Sequence, residues 1–226
     1  MVQSEIFGRV FRIVFGSNAG TTFTIEQDGT QFLVTAKHIF KDAQFPAQAE
    51  IMLWKEGRYQ SIHVEIRYPE DQEIDIAVMK TNPYLFVSKI YDNKNTSEGL
   101  IWGQDVYFLG FPYDFDVHLK SLPDSKTPVP FIKKACLSGA LNEHSILVLD
   151  GQNNKGFSGG PVCFKSIQSD EKSMRIAGVI SGYYYEKKKV LDPTGNITEY
   201  YLEDNTGIVK AHDIREAITV AKTWLL

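Results

Sequence analysis

Three short segments of the chain carry residue types that can do chemistry together. Leu33-Val34-Thr35-Ala36-Lys37-His38 reads as a strand that ends in a histidine. Ile74-Asp75-Ile76-Ala77-Val78 places an aspartate inside an apolar strand. Asn154-Lys155-Gly156-Phe157-Ser158-Gly159-Gly160-Pro161 carries a serine in a glycine-rich loop. Singly, the histidine reads as a surface or satisfied core residue, and the serine as part of a turn. The aspartate is harder to dismiss, because a carboxylate among Ile, Ile, Ala and Val is costly to bury without donors. Together the three supply nucleophilic acyl transfer. A serine hydroxyl is a weak nucleophile until a base takes its proton. Histidine is the side chain suited to that task near neutral pH. A carboxylate holds the histidine tautomer and stabilises the imidazolium. Glycine before the serine lets backbone N–H groups converge on one spot as an oxyanion hole, here from Gly156 and Ser158.

The elements that must position these residues read as strands. A first group covers 7–15, 21–27, 31–36, 50–55, 61–68, 74–80 and 105–110; a second covers 131–140, 145–150, 160–164, 174–185, 198–202 and 207–211. Both are rich in Val, Ile, Phe, Tyr and Thr and are punctuated by Gly, Asn, Asp and Pro. A short helical turn is expected after Thr35. One helix is expected at the carboxyl end, capped by Asp213, with Ala217, Val220, Ala221 and Trp224 on a helical period. So many short strands with so little helix favour barrels or sandwiches over a parallel α/β sheet. The proline-bearing stretch near 112–130 reads as a connector or long loop.

Composition narrows the classes further. The 226 residues are ample for a large core, and a formal charge of −4 lacks the broad positive field that nucleic acid or an anionic membrane demands. No apolar stretch approaches the roughly 20 residues that span a bilayer, and the amino terminus does not read as a secretory signal. The expectation is a cytoplasmic protein with no nucleic-acid or membrane partner. Cys136 and Cys163 lack CxxC spacing and read as two buried thiols, with pairing between them left open. His63, His118, His144 and His212 are dispersed and read as structural or exposed; no metal site and no cofactor is expected.

The segments LVTAKH, DIAV and GFSGGPV, in the order His38, Asp75, Ser158, resemble the chymotrypsin-fold (trypsin-like) serine proteases, and among them the HtrA/Deg-like and bacterial trypsin-like peptidases. The resemblance covers residues 8 to 212. Residues 103–112 are similar to the family's last strand of the first barrel. Ile180-Ser181-Gly182 resembles the strand beside the primary specificity pocket, and Asp150 matches an aspartate common in HtrA-like sequences. The resemblance implies an all-β fold of two antiparallel six-stranded barrels with a C-terminal α-helix packed on the outside. The first barrel would span 1–115, a connector 116–130, the second barrel 131–211 and the helix 212–226. It implies a serine endopeptidase with His38, Asp75 and Ser158 as the triad. Gln152 and Asn153 would lie near the pocket base, Ser181, Gly182 and Tyr183 along one wall, and residues 207–210 on the neighbouring strand. With no aspartate at the pocket base, a small or medium uncharged residue is expected there rather than Arg or Lys. The partner implied is a protein or peptide substrate; an activating partner protein is left open by the departure at Phe157 rather than implied by the resemblance.

The chain departs from the family at Phe157, where trypsins carry an aspartate that receives a new amino terminus on activation. Phe157 cannot form that ion pair, which keeps a second class open: a latent or catalytically silent protease fold that binds peptides. Lys37 replaces a usually small residue and reads as facing solvent. Two other readings fail. The G-x-S-x-G nucleophile elbow needs a helix after the serine, whereas Pro161-Val162-Cys163-Phe164 reads as strand, and its only downstream base would be His212. The phosphate-binding loop pattern fails because Phe157 stands where its lysine belongs.

Overall fold

The structure, a computed structural model, describes residues 4–81, 95–115, 129–141, 145–167, 174–203 and 206–225. After a helical turn α1 (Ser4–Phe7), six strands follow: β1 (Val10–Phe15), β2 (Asn18–Gln27), β3 (Thr30–Thr35), β4 (Gln48–Lys55), β5 (Arg58–Arg67) and β6 (Ala77–Lys80). They close an antiparallel barrel in the order β1-β2-β3-β6-β5-β4, with Ile13 opposite Leu53 at the closure. A 3-10 turn at Lys37–Ala43 follows β3, as expected from the sequence.

A second closed antiparallel barrel is built from β7 (Asp105–Gly110), β8 (Phe131–Leu141), β9 (Ile146–Asp150), β10 (Pro161–Lys165), β11 (Met174–Tyr183) and a late strand, β14 (Ile208–Asp213). Between β11 and β14 the chain forms a separate two-stranded ribbon, β12 (Glu186–Leu191) with β13 (Ile197–Glu203). The chain ends in α2 (Ile214–Lys222).

Periodicity explains where each strand faces. In β4, Ala49, Ile51 and Leu53 are buried while Glu50 and Met52 are exposed, the alternation of a sheet with one wet face. In β3 the run is continuously buried. Leu33 enters the interior of the first barrel, while Phe32 and Val34 join a third core in the seam between the barrels. That seam also takes Leu109, Val179 and the apolar face of α2, including Ala217 and Val220. Each barrel thus buries one side of its strands in itself and part of the other against its neighbour, so neither closes the site alone.

Several sequence expectations are corrected. The strand 105–110 belongs to the second barrel, not the first. It pairs with β8 and β10, and Val106 and Phe108 enter the second core. The first barrel is already closed by β1 on β4, so no edge is left for a seventh strand. The segment 198–202 pairs in the ribbon rather than in the barrel. Strand structure starts at Val10 and Ala77, so Asp75 lies two residues ahead of β6. Helix α2 begins at Ile214, and its apolar face packs over the seam on the outside of the two barrels. Cys136 and Cys163 are both free thiols; Cys163 is buried, but Cys136 is only half-buried. Of the 116–130 connector, residues 116–128 lie outside the described residues, as do His118 and His144.

The cap of α2 behaves as expected: Asp213 accepts Arg215 N–H at 2.8 Å on its carboxylate. Its own N–H reaches Ser145 O at 2.9 Å, so the cap also ties the helix to the start of β9. Asp213→Ala is expected to lower stability by about 1 kcal/mol, read as a shift of the urea unfolding midpoint with an unchanged slope.

Candidate active site

His38 sits at the second position of the 3-10 turn that ends β3, and Asp75 lies on the extended segment leading into β6. Pairing of β3 with β6, Thr35 opposite Ala77, brings the two together. Asp75 Oδ1 accepts the His38 backbone N–H at 2.8 Å, and Oδ2 lies 2.7 Å from His38 Nδ1. An ionised carboxylate only accepts, so Nδ1 carries the proton and Nε2 keeps its lone pair. A third donor comes from the second barrel: Ser181 Oγ donates to Asp75 Oδ2 at 2.6 Å. Burial pushes the Asp75 carboxyl up, but the hydrogen bonds from His38 and Ser181, and the attraction of the His38 ring when it is protonated, outweigh it. Its pKa falls below the usual carboxylate range.

Two residues that sequence reasoning set aside support this pair. His212, on β14, is fully buried, and its Nε2 accepts the Asp75 N–H at 3.1 Å. Burial, reinforced by Lys210, lowers the His212 pKa to about 4 against a pull upward from Asp75. His212 therefore stays neutral and acts as an acceptor that fixes the backbone behind Asp75. Lys37, expected in solvent, is buried instead. Its Nζ donates to Gln72 O at 2.8 Å and lies 5.4 Å from the Phe45 ring centroid. A long aliphatic stem can lie under a loop while its ammonium caps a carbonyl, and here that carbonyl belongs to the turn that precedes Asp75.

Ser158 lies in the loop between β9 and β10, and a strand follows it, as the rejection of a nucleophile elbow requires. Its carbonyl accepts Thr21 N–H at 2.8 Å, which fastens the loop to the first barrel. Its Oγ donates to Ser181 O at 3.4 Å, a long contact, rather than to His38. Gly156 and Gly159 have φ of +102° and +83°, and a Cβ at either would fall on neighbouring backbone, Phe111 O and Thr21 O respectively. Both positions therefore need glycine.

Phe157 resolves the question left by the missing aspartate. Its ring is fully buried in the second core, edge-to-face with Phe108 at a centroid distance of 5.2 Å. An apolar plug holds the loop where trypsins use an ion pair. Lys133 Nζ lies 5.4 Å from the same ring and donates to Gln152 O and to Asn154 Oδ1. It crosslinks the segment that was expected to form the pocket base. Sequence reading missed Lys133 because only the register of β8 against β7, Lys133 opposite Phe108, puts it there.

The expected substrate residues divide. Asn153 Nδ2 donates to Gly182 O at 3.2 Å, so the expected base and wall do meet. Tyr183 stacks edge-on against Tyr185 at 5.2 Å. Ser181 was expected to line the pocket, but its hydroxyl is spent on Asp75 and only its carbonyl borders Ser158. Gln152 has an exposed side chain and contributes its carbonyl to Lys133. Asp150 is exposed at the end of β9, opposite Cys136 and Ile208.

Comparison with known proteins bears on the fold and the family. No curated protein matches the sequence significantly. Among solved structures, Glu endopeptidase in complex with MPD superposes with a TM-score of 0.62 at 15% identity, over 98% of this chain and 93% of that one. The HtrA-type protease AlgW with a tripeptide gives 0.58 at 16% identity; the match covers 96% of this chain but 60% of AlgW. Rv3671c from M. tuberculosis H37Rv, in an inactive serine-to-alanine form, gives 0.57 at 14% identity, over 97% of this chain and 88% of that one. At such identities the likeness establishes the shared fold. The family model for the trypsin-like peptidase domain matches residues 20–166, a span that contains His38, Asp75 and Ser158. That span exceeds half of the chain, and the protein belongs to the trypsin-like peptidase domain family.

Proposed function

We propose that the protein is a serine endopeptidase that works through His38, Asp75 and Ser158. The observation that carries this reading is the Asp75 carboxylate, held below the usual range and bonded to both N–H groups of His38. That arrangement leaves Nε2 as the free base. Rotation of the Ser158 side chain away from Ser181 O would hand its proton to Nε2 as the oxygen attacks a peptide carbonyl. The C–O bond forms and the carbonyl oxygen takes the charge, facing the N–H groups of Gly156 and Ser158. Each such donor contributes about 3 kcal/mol to the transition state. The C–N bond then breaks, and protonated His38 gives its proton to the leaving amine. Water, deprotonated by His38, attacks the acyl-enzyme and releases the acid, and the proton returns to Ser158. Asp75 remains ionised throughout.

The second reading, a peptide-binding protein without turnover, is favoured by one observation: Ser158 Oγ donates to Ser181 O in this state. A fluorophosphonate probe separates the two. Wild type is expected to gain one covalent adduct by intact mass and Ser158→Ala none, with both proteins equally folded by circular dichroism. An unlabelled, folded wild type would favour the binding-only reading.

Lys133 beneath the 152–154 segment, with no carboxylate side chain in that segment, argues against a cationic residue on the acyl side of the cleaved bond. Peptide-library profiling is expected to show small or medium uncharged side chains there; dominance of Arg or Lys would refute the assignment.

The neutral His212 behind Asp75 sets an acid limit. Its folded pKa, about 4, lies below its ordinary 6.5, so the unfolded chain binds the proton first. Stability is full above about pH 6.5 and falls as pH drops towards 4, by about 3 kcal/mol in all. Denaturant unfolding at pH 7, 5 and 4 is expected to show this loss. His212→Gln, which keeps an acceptor for Asp75 N–H, is expected to flatten the profile between pH 6.5 and 4.

A further inference from the structure

One residue of the first barrel holds the serine loop at two points. Thr21, on β2, is fully buried. Its N–H donates to Ser158 O at 2.8 Å, and its Oγ1 donates to Gly156 O at 2.7 Å. The same Oγ1 accepts Phe111 N–H at 3.2 Å, and its carbonyl accepts Thr35 Oγ1 at 2.7 Å. A hydroxyl has one proton to give. With Phe111 N–H arriving as a donor, that proton is directed to Gly156 O.

The carbonyls of residues 156, 157 and 158 are then all turned into the protein. Gly156 O and Ser158 O go to Thr21, and Phe157 O accepts Gly160 N–H at 2.8 Å. Across a planar trans peptide the N–H points opposite to the C=O. Ser158 N–H is therefore turned away from the loop interior by the bond at Phe157 O. Gly156 has the freest backbone in the loop, because glycine turns easily about φ and ψ. Its carbonyl, and hence its ψ, is fixed by the Thr21 hydroxyl. The Phe157 ring sets how deep the loop sits, and Thr21 sets how the Gly156–Phe157 peptide is rotated.

We infer that Thr21 is a positioning residue for the oxyanion hole: its hydroxyl locks the Gly156 carbonyl, and with it the Gly156–Phe157 peptide that lies between the two donors, the N–H groups of Gly156 and Ser158. The inference rests on the peptidase reading of Ser158 for its kinetic consequence, but not for its structural one. It also accounts for an ordered loop in a chain whose Phe157 cannot receive a terminal ammonium.

Thr21→Val removes the hydroxyl at nearly constant volume, and Thr21→Ser restores it. The second-order rate of fluorophosphonate labelling at Ser158 is expected to fall roughly 10- to 100-fold in Thr21→Val, part of the loss seen when an oxyanion donor is removed. For a short peptide substrate the loss is expected in kcat, with KM changed less than about threefold. Thr21→Ser is expected to recover the rate even if its melting temperature is as low as that of Thr21→Val. Equal labelling rates for the two variants would overturn the inference. In parallel, amide exchange by NMR on the Ser158→Ala background is expected to be at least about tenfold faster at Phe157 and Gly160, whose N–H groups are bonded to Asn154 O and Phe157 O within the loop, in Thr21→Val than in Thr21→Ser. Unchanged exchange would also overturn it. An unreactive wild type would defeat the peptidase reading, and the exchange measurement would still decide the role of Thr21.

Discussion

A carboxylate placed in the seam between two barrels must find donors there, because an unpaired buried charge is too costly to keep. Asp75 finds them on both sides. The first barrel supplies the backbone and ring N–H groups of His38, and the second supplies the hydroxyl of Ser181. His212 of the second barrel accepts the Asp75 N–H from behind. Satisfying this one charge therefore fixes the relative placement of β3, β6, β11 and β14. The same set of bonds orients the histidine, so docking of the barrels and orientation of the His38 ring are one event.

The serine loop obeys a second constraint, that its carbonyls must be turned away from the cleft. The donors come from the opposite barrel, through Thr21, and from within the loop, through Gly160. Phe157 adds an apolar anchor against Phe108. Burying an aromatic ring is worth a few kcal/mol and needs no charged partner. An ion pair at this point would have to recover the desolvation of both groups. The aromatic plug thus makes loop order a property of the folded core.

The seam core ties these polar devices to the rest of the chain. Phe32 and Val34 of the first barrel, Leu109 and Val179 of the second, and Ala217 and Val220 of α2 meet in one cluster. Trp224 extends it, with its ring against Phe32 and under the Arg67 guanidinium. The ribbon β12–β13 stands apart. It carries exposed Leu191, Tyr200 and Leu202, and none of its side chains enters a core.

The sequence by itself determined the strand-rich class, the capped terminal helix, the segments holding His38, Asp75 and Ser158, and their order. Alternation, caps and glycine-rich turns are local signals, and local signals survive in a linear string. It did not determine which barrel takes residues 105–110, since a period of two marks a strand and not its neighbours. Nor did it reveal that Ser181 spends its hydroxyl on Asp75, that His212 stays neutral behind it, or that Lys37 is buried. Those roles depend on partners 35 to 137 residues away in the chain. Only closure of the two barrels brings such partners within hydrogen-bonding distance, and only there does the cost of burial decide which polar atoms must meet.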